Sequence, residues 1–163
     1  PRRAFYVTSM TKCLSPGLRL GFLVMPEAMV ERVVNRHLSV AWMATPLMAE
    51  IAADWLERGA ADRILAAQRS ELAARNRIAQ RILGPQSQGV LHGLHRWLPL
   101  PEGTEEEAFI AAALSRNVAV SAGSGFAAGP CPPAVRLCLG ATGRGDLERA
   151  LGTLAELIST SKR

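Results

Sequence analysis

The chain begins with two short apolar runs, Ala4 to Val7 and Gly21 to Met25, with a polar loop between them. Each run is continuous, as in a strand buried on both faces. Two strands make no stable sheet by themselves. The pair must therefore pack on the rest of the chain or on something outside it. Pro26 then opens a helix at its first turn, with Glu27 where the helix dipole favours an acid. From Met43 to Leu56 the apolar positions Met43, Leu47, Ile51 and Trp55 recur every four residues, with Met48, Ala52 and Leu56 beside them. That spacing predicts a helix burying a wide stripe, which Gly59 ends. A long helix follows over Asp62 to Leu83, with Leu65, Leu72, Ala79 and Leu83 on one face, and Gly84-Pro85 stops it.

Beyond residue 84 the pattern changes. Val90 to Leu100 reads as a strand, Glu105 to Arg116 as a helix, and Val118 to Ser121 and Ala134 to Leu139 as strands. Arg144 to Ile158 is the last helix, with Leu147, Leu151, Leu154 and Ile158 at helical spacing. In the final strand Val135, Leu137 and Leu139 alternate with Arg136 and Cys138, so one face is apolar and the other presents a guanidinium. The expected organisation is a strand-rich entry followed by an α+β unit from about residue 60 onward.

The composition, 163 residues with 48% hydrophobic and 20% charged, excludes a disordered tail and fits one domain with a real core. A net charge of +5 and a pI near 9.9 leave nucleic acid and anionic small molecules open as partners. Three cysteines, Cys13, Cys131 and Cys138, are an odd count without short paired spacing. They support neither a disulfide framework nor a zinc knuckle, and a reducing cytoplasm is expected. The longest apolar stretch, Leu38 to Leu56, is interrupted by Thr45, Pro46, Glu50 and Asp54, so no membrane span and no export signal are read.

The loop after the first strand carries the chemistry. Lys12 follows Ser9 and Thr11, and Arg19 lies just beyond the Pro16-Gly17 turn. An amine nucleophile, hydroxyl donors and a fixed cation together suit a phosphorylated carbonyl: the amine condenses with the carbonyl while the hydroxyls and guanidinium hold the phosphate. The competing reading makes Lys12 a solvated loop lysine and Arg19 its surface neighbour. For Arg136 the competing reading is an arginine on an exposed sheet face.

The run Ser9-Met10-Thr11-Lys12-Cys13-Leu14-Ser15-Pro16-Gly17-Leu18-Arg19-Leu20-Gly21 resembles the cofactor-lysine motif of class I/II aminotransferases of pyridoxal-phosphate fold type I. Its Pro-Gly-Leu-Arg form is similar to the branch holding aminoadipate-type aminotransferases and MocR-type regulators of the GntR superfamily. Trp42 to Ala52 with Trp55 and Gly59 look like the regulator side of that branch, and residues 93–101 and 134–140 are similar to its small-domain strands. The resemblance implies a mixed α/β to α+β fold: a C-terminal small domain ordered α-β-α-β-β-α, a lysine-bearing remnant of the large-domain sheet, and a long connecting helix. The divisions it implies are 1–40 for the remnant, 41–83 for the connecting helices and 84–163 for the small domain.

Carried over by position, the resemblance makes Lys12 the cofactor-bearing lysine, Arg19 and Ser9 phosphate ligands with Thr11 a weaker one, and Arg136 the group that grips an α-carboxylate. The cofactor implied is pyridoxal 5'-phosphate. The family's upstream aspartate, asparagine, tyrosine, ring-stacking aromatic and phosphate loop all precede the lysine, and only eleven residues precede Lys12 here. The chain therefore reads as the C-terminal part of a larger protein, binding the cofactor weakly or not at all alone.

Other signals point to structure. His92 and His95, three apart on a strand, would face opposite ways and make no metal pair. Gly123-Ser124-Gly125 with Gly129 reads as a turn, since Pro130 and not a helix follows. Arg63, Arg69, Arg75, Arg77 and Arg81 read as a solvated helix face.

Two functions follow. The first is the effector domain of a regulator, which senses pyridoxal phosphate or its adduct with an amino acid or amine. Its DNA contacts would be made through an N-terminal winged-helix domain outside this chain. The second is part of a free-standing aminotransferase. The parent of either is expected to be a cytoplasmic homodimer. A basic nucleic-acid-binding module rests on pI alone.

Overall fold

The structure, a computed structural model, describes residues 3–161 and divides into two compact units, Pro1–Gln68 and Arg69–Arg163. In the first unit β1 (Tyr6–Ser9) and β2 (Gly21–Val24) pair antiparallel, Tyr6 opposite Val24 and Ser9 opposite Gly21. The first strand thus lies two residues later than the apolar run Ala4 to Val7. Pairing with β2 draws Thr8 and Ser9 into the ladder.

Pro26 leads into a single 3₁₀ turn, Glu27–Met29, before α1 (Val30–Ala41). Helix α2 (Pro46–Glu57) and the first part of α3 (Ala60–Leu83) complete the unit. The strands are not buried on both faces as their composition predicts. Every residue of β1 and β2 is exposed, Val7 at 74% and Val24 at 61%. Sequence pattern reports which surfaces need cover, and among the described residues nothing covers these. Helix α1 likewise has no buried residue. In α2, Ala52 is buried and Met48, Ile51 and Trp55 pack half-buried, but Leu47, Leu56 and the preceding Met43 are exposed, so only part of the predicted stripe has a partner.

The second unit is closed. The remainder of α3 is followed by β3 (His95–Pro99), α4 (Glu106–Ser115), β4 (Ser121–Ala122), a 3₁₀ turn at Ser124–Phe126, β5 (Ala134–Cys138) and α5 (Arg144–Ser161). With α3 counted, this is the α-β-α-β-β-α order implied by the resemblance. The antiparallel sheet runs β3-β5-β4. The strand β3 is shorter than Val90 to Leu100: Gly93 N–H donates to the Val90 carbonyl at 2.9 Å to close a turn, which also takes His92 off the strand. Gln88 instead bridges Trp97 through two 2.7 Å backbone bonds. The short strand expected at Val118 to Ser121 forms at Ser121–Ala122, where it meets Arg136 and Val135 of β5.

One face of this sheet is the core. Leu98, Val135 and Leu137 pack with Ala79 and Leu83 of α3, Phe109 and Ala113 of α4, and Leu147, Leu151 and Leu154 of α5. Arg96 shares the parity of Leu98 on β3 and is therefore buried, 5% exposed. Among the described residues it meets no carboxylate. Its guanidinium donates to Ser87 Oγ at 2.7 Å, Asn76 Oδ1 at 3.1 Å, Gln80 Oε1 at 2.7 Å and the Ser87 carbonyl. Desolvation lowers its pKa from the ordinary arginine value.

The arginines of α3 are not simply a solvated face. Arg75 is largely buried and donates to the carbonyls of Leu139 at 2.7 Å and Thr142 at 2.6 Å, and to Glu71 Oε1 at 2.7 Å. Glu71 also pairs Arg144. Arg81 pairs Glu148 at 2.8 Å. Among the described residues no helix is long and apolar enough to cross a membrane.

Candidate functional site

The loop between β1 and β2 is built by its apolar residues. Met10 N–H donates to the Leu20 carbonyl at 3.2 Å, closing the loop directly beyond the last ladder pair. Leu14 and Ser15 N–H both return to the Met10 carbonyl, at 2.9 and 3.2 Å, coiling residues 10–15 into a tight turn. Ser15 Oγ accepts from Gly17 N–H at 3.3 Å and caps a 3₁₀ turn that Pro16 starts.

Met10, Leu14, Leu18 and Leu20 are buried with Ala52 and Ala61, and Gln68 Nε2 donates to the Leu14 carbonyl at 2.7 Å. With the leucines turned in, Lys12 and Arg19 are left on the exposed side. Arg19 has φ 50° and ψ 28°, the left-handed region a non-glycine residue seldom adopts. The two hydrogen-bonded turns on its N-terminal side and β2 on its other side hold it there.

The structure thus gathers Ser9, Thr11, Lys12 and Arg19 in one closed loop. Among the described residues no hydrogen bond or ion pair engages their side chains. Hydroxyls, an amine and a guanidinium on one loop, without partners among the described residues, are the donor types that a phosphate-bearing carbonyl compound calls for.

Arg136 lies in the second unit. It sits on the sheet face opposite the core, paired across the strands with Trp97 and Ser121, as the alternation predicts. Its guanidinium carbon stands 4.2 Å from the centroid of the Phe126 ring, and that ring meets Trp97 edge-on at 6.3 Å. Arg136 Nε is buried and, among the described residues, has no hydrogen-bond partner. A buried unpaired guanidinium donor is costly, and a carboxylate would satisfy it.

Phe126 and Glu106 were not legible in the sequence as parts of this site. Glu106, in the first turn of α4, accepts from Gly123 N–H at 3.1 Å, Ser124 N–H at 3.3 Å, Ser124 Oγ at 2.5 Å and Ala134 N–H at 3.2 Å. The Ser124 hydroxyl foremost, then the backbone donors of Ala134, Ser124 and Gly123, hold its carboxyl below the usual range, against an opposing effect of burial. Gly123 must be glycine. A Cβ there would lie 2.5 Å from the Ala134 carbonyl oxygen and 2.9 Å from the Trp97 ring. The glycine-rich stretch turns, as read from the sequence; the turn is a 3₁₀ one over Ser124–Phe126, and it carries the Phe126 ring.

Solved structures share this architecture. The kynurenine aminotransferase of Pyrococcus horikoshii, solved with PMP, matches 99% of this chain and 42% of its own at TM-score 0.90 and 19% identity. LysN, the α-aminoadipate aminotransferase of Thermus thermophilus, solved with N-(5'-phosphopyridoxyl)-L-leucine, matches 96% of this chain and 42% of its own at TM-score 0.80 and 23% identity. Among curated proteins, the uncharacterized HTH-type transcriptional regulator YdeF of Bacillus subtilis is 29% identical over 97% of this chain and 35% of its own length. YisV, another HTH-type regulator of that organism, is 27% identical over 93% of this chain and 32% of its own. The chain spans about a third of the length of these regulators. Residues 2–154 match the family model of aminotransferase class I and II, and the chain belongs to that family.

Proposed function

We propose that this chain is the C-terminal part of the aminotransferase-like effector domain of a transcriptional regulator. That domain would bind pyridoxal 5'-phosphate and sense it, or its adduct with an amino acid or amine. A helix-turn-helix domain elsewhere in the protein would contact DNA. The observation that carries this reading is that proteins named as HTH-type regulators match the chain almost end to end. The solved aminotransferases, at 19 and 23% identity, speak for the fold and leave the choice of function to those relatives. A free-standing aminotransferase is the less favoured reading.

In the proposed site Ser9 and Arg19, with Thr11 beside them, hold the phosphate, and Lys12 supplies the amine. When bound, the cofactor offers a carbonyl for amines to condense with and a ring that accepts electrons. Lys12 Nζ acts as nucleophile and afterwards holds or moves a proton. Arg136 pairs a ligand carboxylate and so selects amino acids over simple amines. The divisions follow the same reading: 1–40 belongs to the cofactor-binding large domain, 41–83 connects, and 84–163 is the small domain. The intact protein would act as a homodimer in the cytoplasm. Sensing requires that the ligand bind one arrangement of the domains better than another.

The gene upstream of the codon for Pro1 tests the regulator reading. A winged-helix domain and linker ahead of the aminotransferase-like region is the expected result. A short arm leading directly into that region would overturn it in favour of the enzyme.

A further inference from the structure

We propose that Glu106 is a positioning residue for the carboxylate receptor: by pinning the Gly123–Phe126 turn it seats the Phe126 ring against Arg136 and aims the guanidinium. The inference rests on the reading of Arg136 as the group that pairs a ligand carboxylate.

The geometry carries it. The donors to the Glu106 carboxylate come from both ends of one segment: Gly123 and Ser124 where the chain leaves β4, and Ala134 where it enters β5. Phe126 is two residues from Ser124, and Arg136 is two residues from Ala134. One carboxylate, beside the 2.8 Å backbone bond from Gly123 N–H to the Ala134 carbonyl, thus ties the turn that carries the ring to the strand that carries the guanidinium. The segment between holds Gly125, Gly129, Pro130, Pro132 and Pro133 and forms no regular element past the 3₁₀ turn. Backbone bonds hold its ends, from Gly123 N–H to the Ala134 carbonyl at 2.8 Å and from Leu100 N–H to the Pro133 carbonyl at 2.9 Å, and Phe126 N–H donates to the Gly123 carbonyl at 2.9 Å; the Glu106 carboxylate is the side chain that adds to them.

Phe126 is 54% exposed, so its ring, edge-on to Trp97, depends on the turn that carries it for its place. Arginine carries much rotamer freedom, and stacking on a ring at 4.2 Å restricts the plane of its fork. That restriction keeps Nε buried and unpaired until an acceptor arrives. Glu105 and Glu107 also stand at the start of α4 and serve the helix dipole, but of the three only Glu106 is taken up by this loop.

The test compares affinities of the intact protein for a panel of L-amino acids, each against its own amide, by calorimetry. The unsubstituted protein should prefer acid to amide by about tenfold or more, the size of one charge-assisted pair. Arg136→Ala should bring the ratio near one. Glu106→Gln replaces an acceptor oxygen with an amide NH₂ facing N–H donors, and it should cut the ratio several-fold while amide affinity holds. Phe126→Leu, which leaves the Glu106 bonds intact, should lower the ratio in the same way.

If Arg136→Ala abolishes the preference while Glu106→Gln and Phe126→Leu keep it in full, the positioning role is wrong and the receptor stands. Equal loss of acid and amide binding in Glu106→Gln would also overturn it, as damage without aim. If the unsubstituted protein shows no preference, or Arg136→Ala retains it, the receptor reading itself falls. Should Glu106→Gln fail to fold, Ser124→Ala removes one donor to the carboxylate and should lower the ratio in the same direction; an unchanged ratio there and in Phe126→Leu would reject the proposal.

Discussion

The two units of this chain satisfy the same kind of sequence to very different degrees. In the second, the alternating residues of β5 find α3, α4 and α5 on one side, and Leu98, Val135 and Leu139 are wholly buried. In the first, equally apolar strands lie open, and Phe5, Tyr6, Val7, Phe22, Leu23 and Val24 are all at least 41% exposed. The difference teaches that an apolar run records the surface a strand was selected to bury. Whether the cover is present is a separate matter. A contiguous exposed patch of this kind marks an interaction surface and not a solvent face.

Truncations should break or sharpen that contrast. Leu98→Ala removes a wholly buried side chain and should cost about 2–5 kcal/mol of stability. Val24→Thr in β2 should shift stability by no more than about 0.5 kcal/mol in this chain. Urea unfolding of both variants checks the pair. Comparable losses would mean that the β1–β2 pair is held by packing that its exposure conceals.

A smaller effect sharpens the account of the second unit. Hydrogen bonds from Arg144 first and Arg75 second hold the Glu71 carboxyl at about 2, against an ordinary 4.5. A carboxylate whose folded value is depressed stabilises above its unfolded value, and the contribution is lost as pH falls through the folded one. Melting temperatures of the chain and Glu71→Gln should therefore differ by a constant amount above pH ~5 and converge between about 4.5 and about 2. A gap that widens on acidification would contradict the assignment. Glu71 and Arg144 are open to solvent, so the gap will be modest.

What the sequence made legible was local. The parity of Val135, Leu137 and Leu139 placed Arg136 on the face away from the core, and the structure has it there. The loop from Ser9 to Gly21 was readable because its hydroxyls, lysine, Pro-Gly turn and arginine are contiguous. Arg96 was passed over, although it shares its parity on β3 with Leu98, because its partners Asn76, Gln80 and Ser87 come from another helix and a turn. Glu106 was illegible for a related reason. An acid at a helix start explains itself by the dipole, and its true partners lie 17 to 28 residues further on. The turn at residues 90–93 hid within an apolar run because Val90 and Leu91 are exposed hydrophobics, which composition alone cannot tell from strand residues.

The central claim is that Lys12 is the residue that captures pyridoxal phosphate. The direct measurement is borohydride reduction of the intact protein in the presence of pyridoxal phosphate, followed by peptide mass spectrometry. A phosphopyridoxyl group on Lys12, absent after Lys12→Ala, is the predicted result. A reduced adduct on another lysine, or none at all, would contradict it.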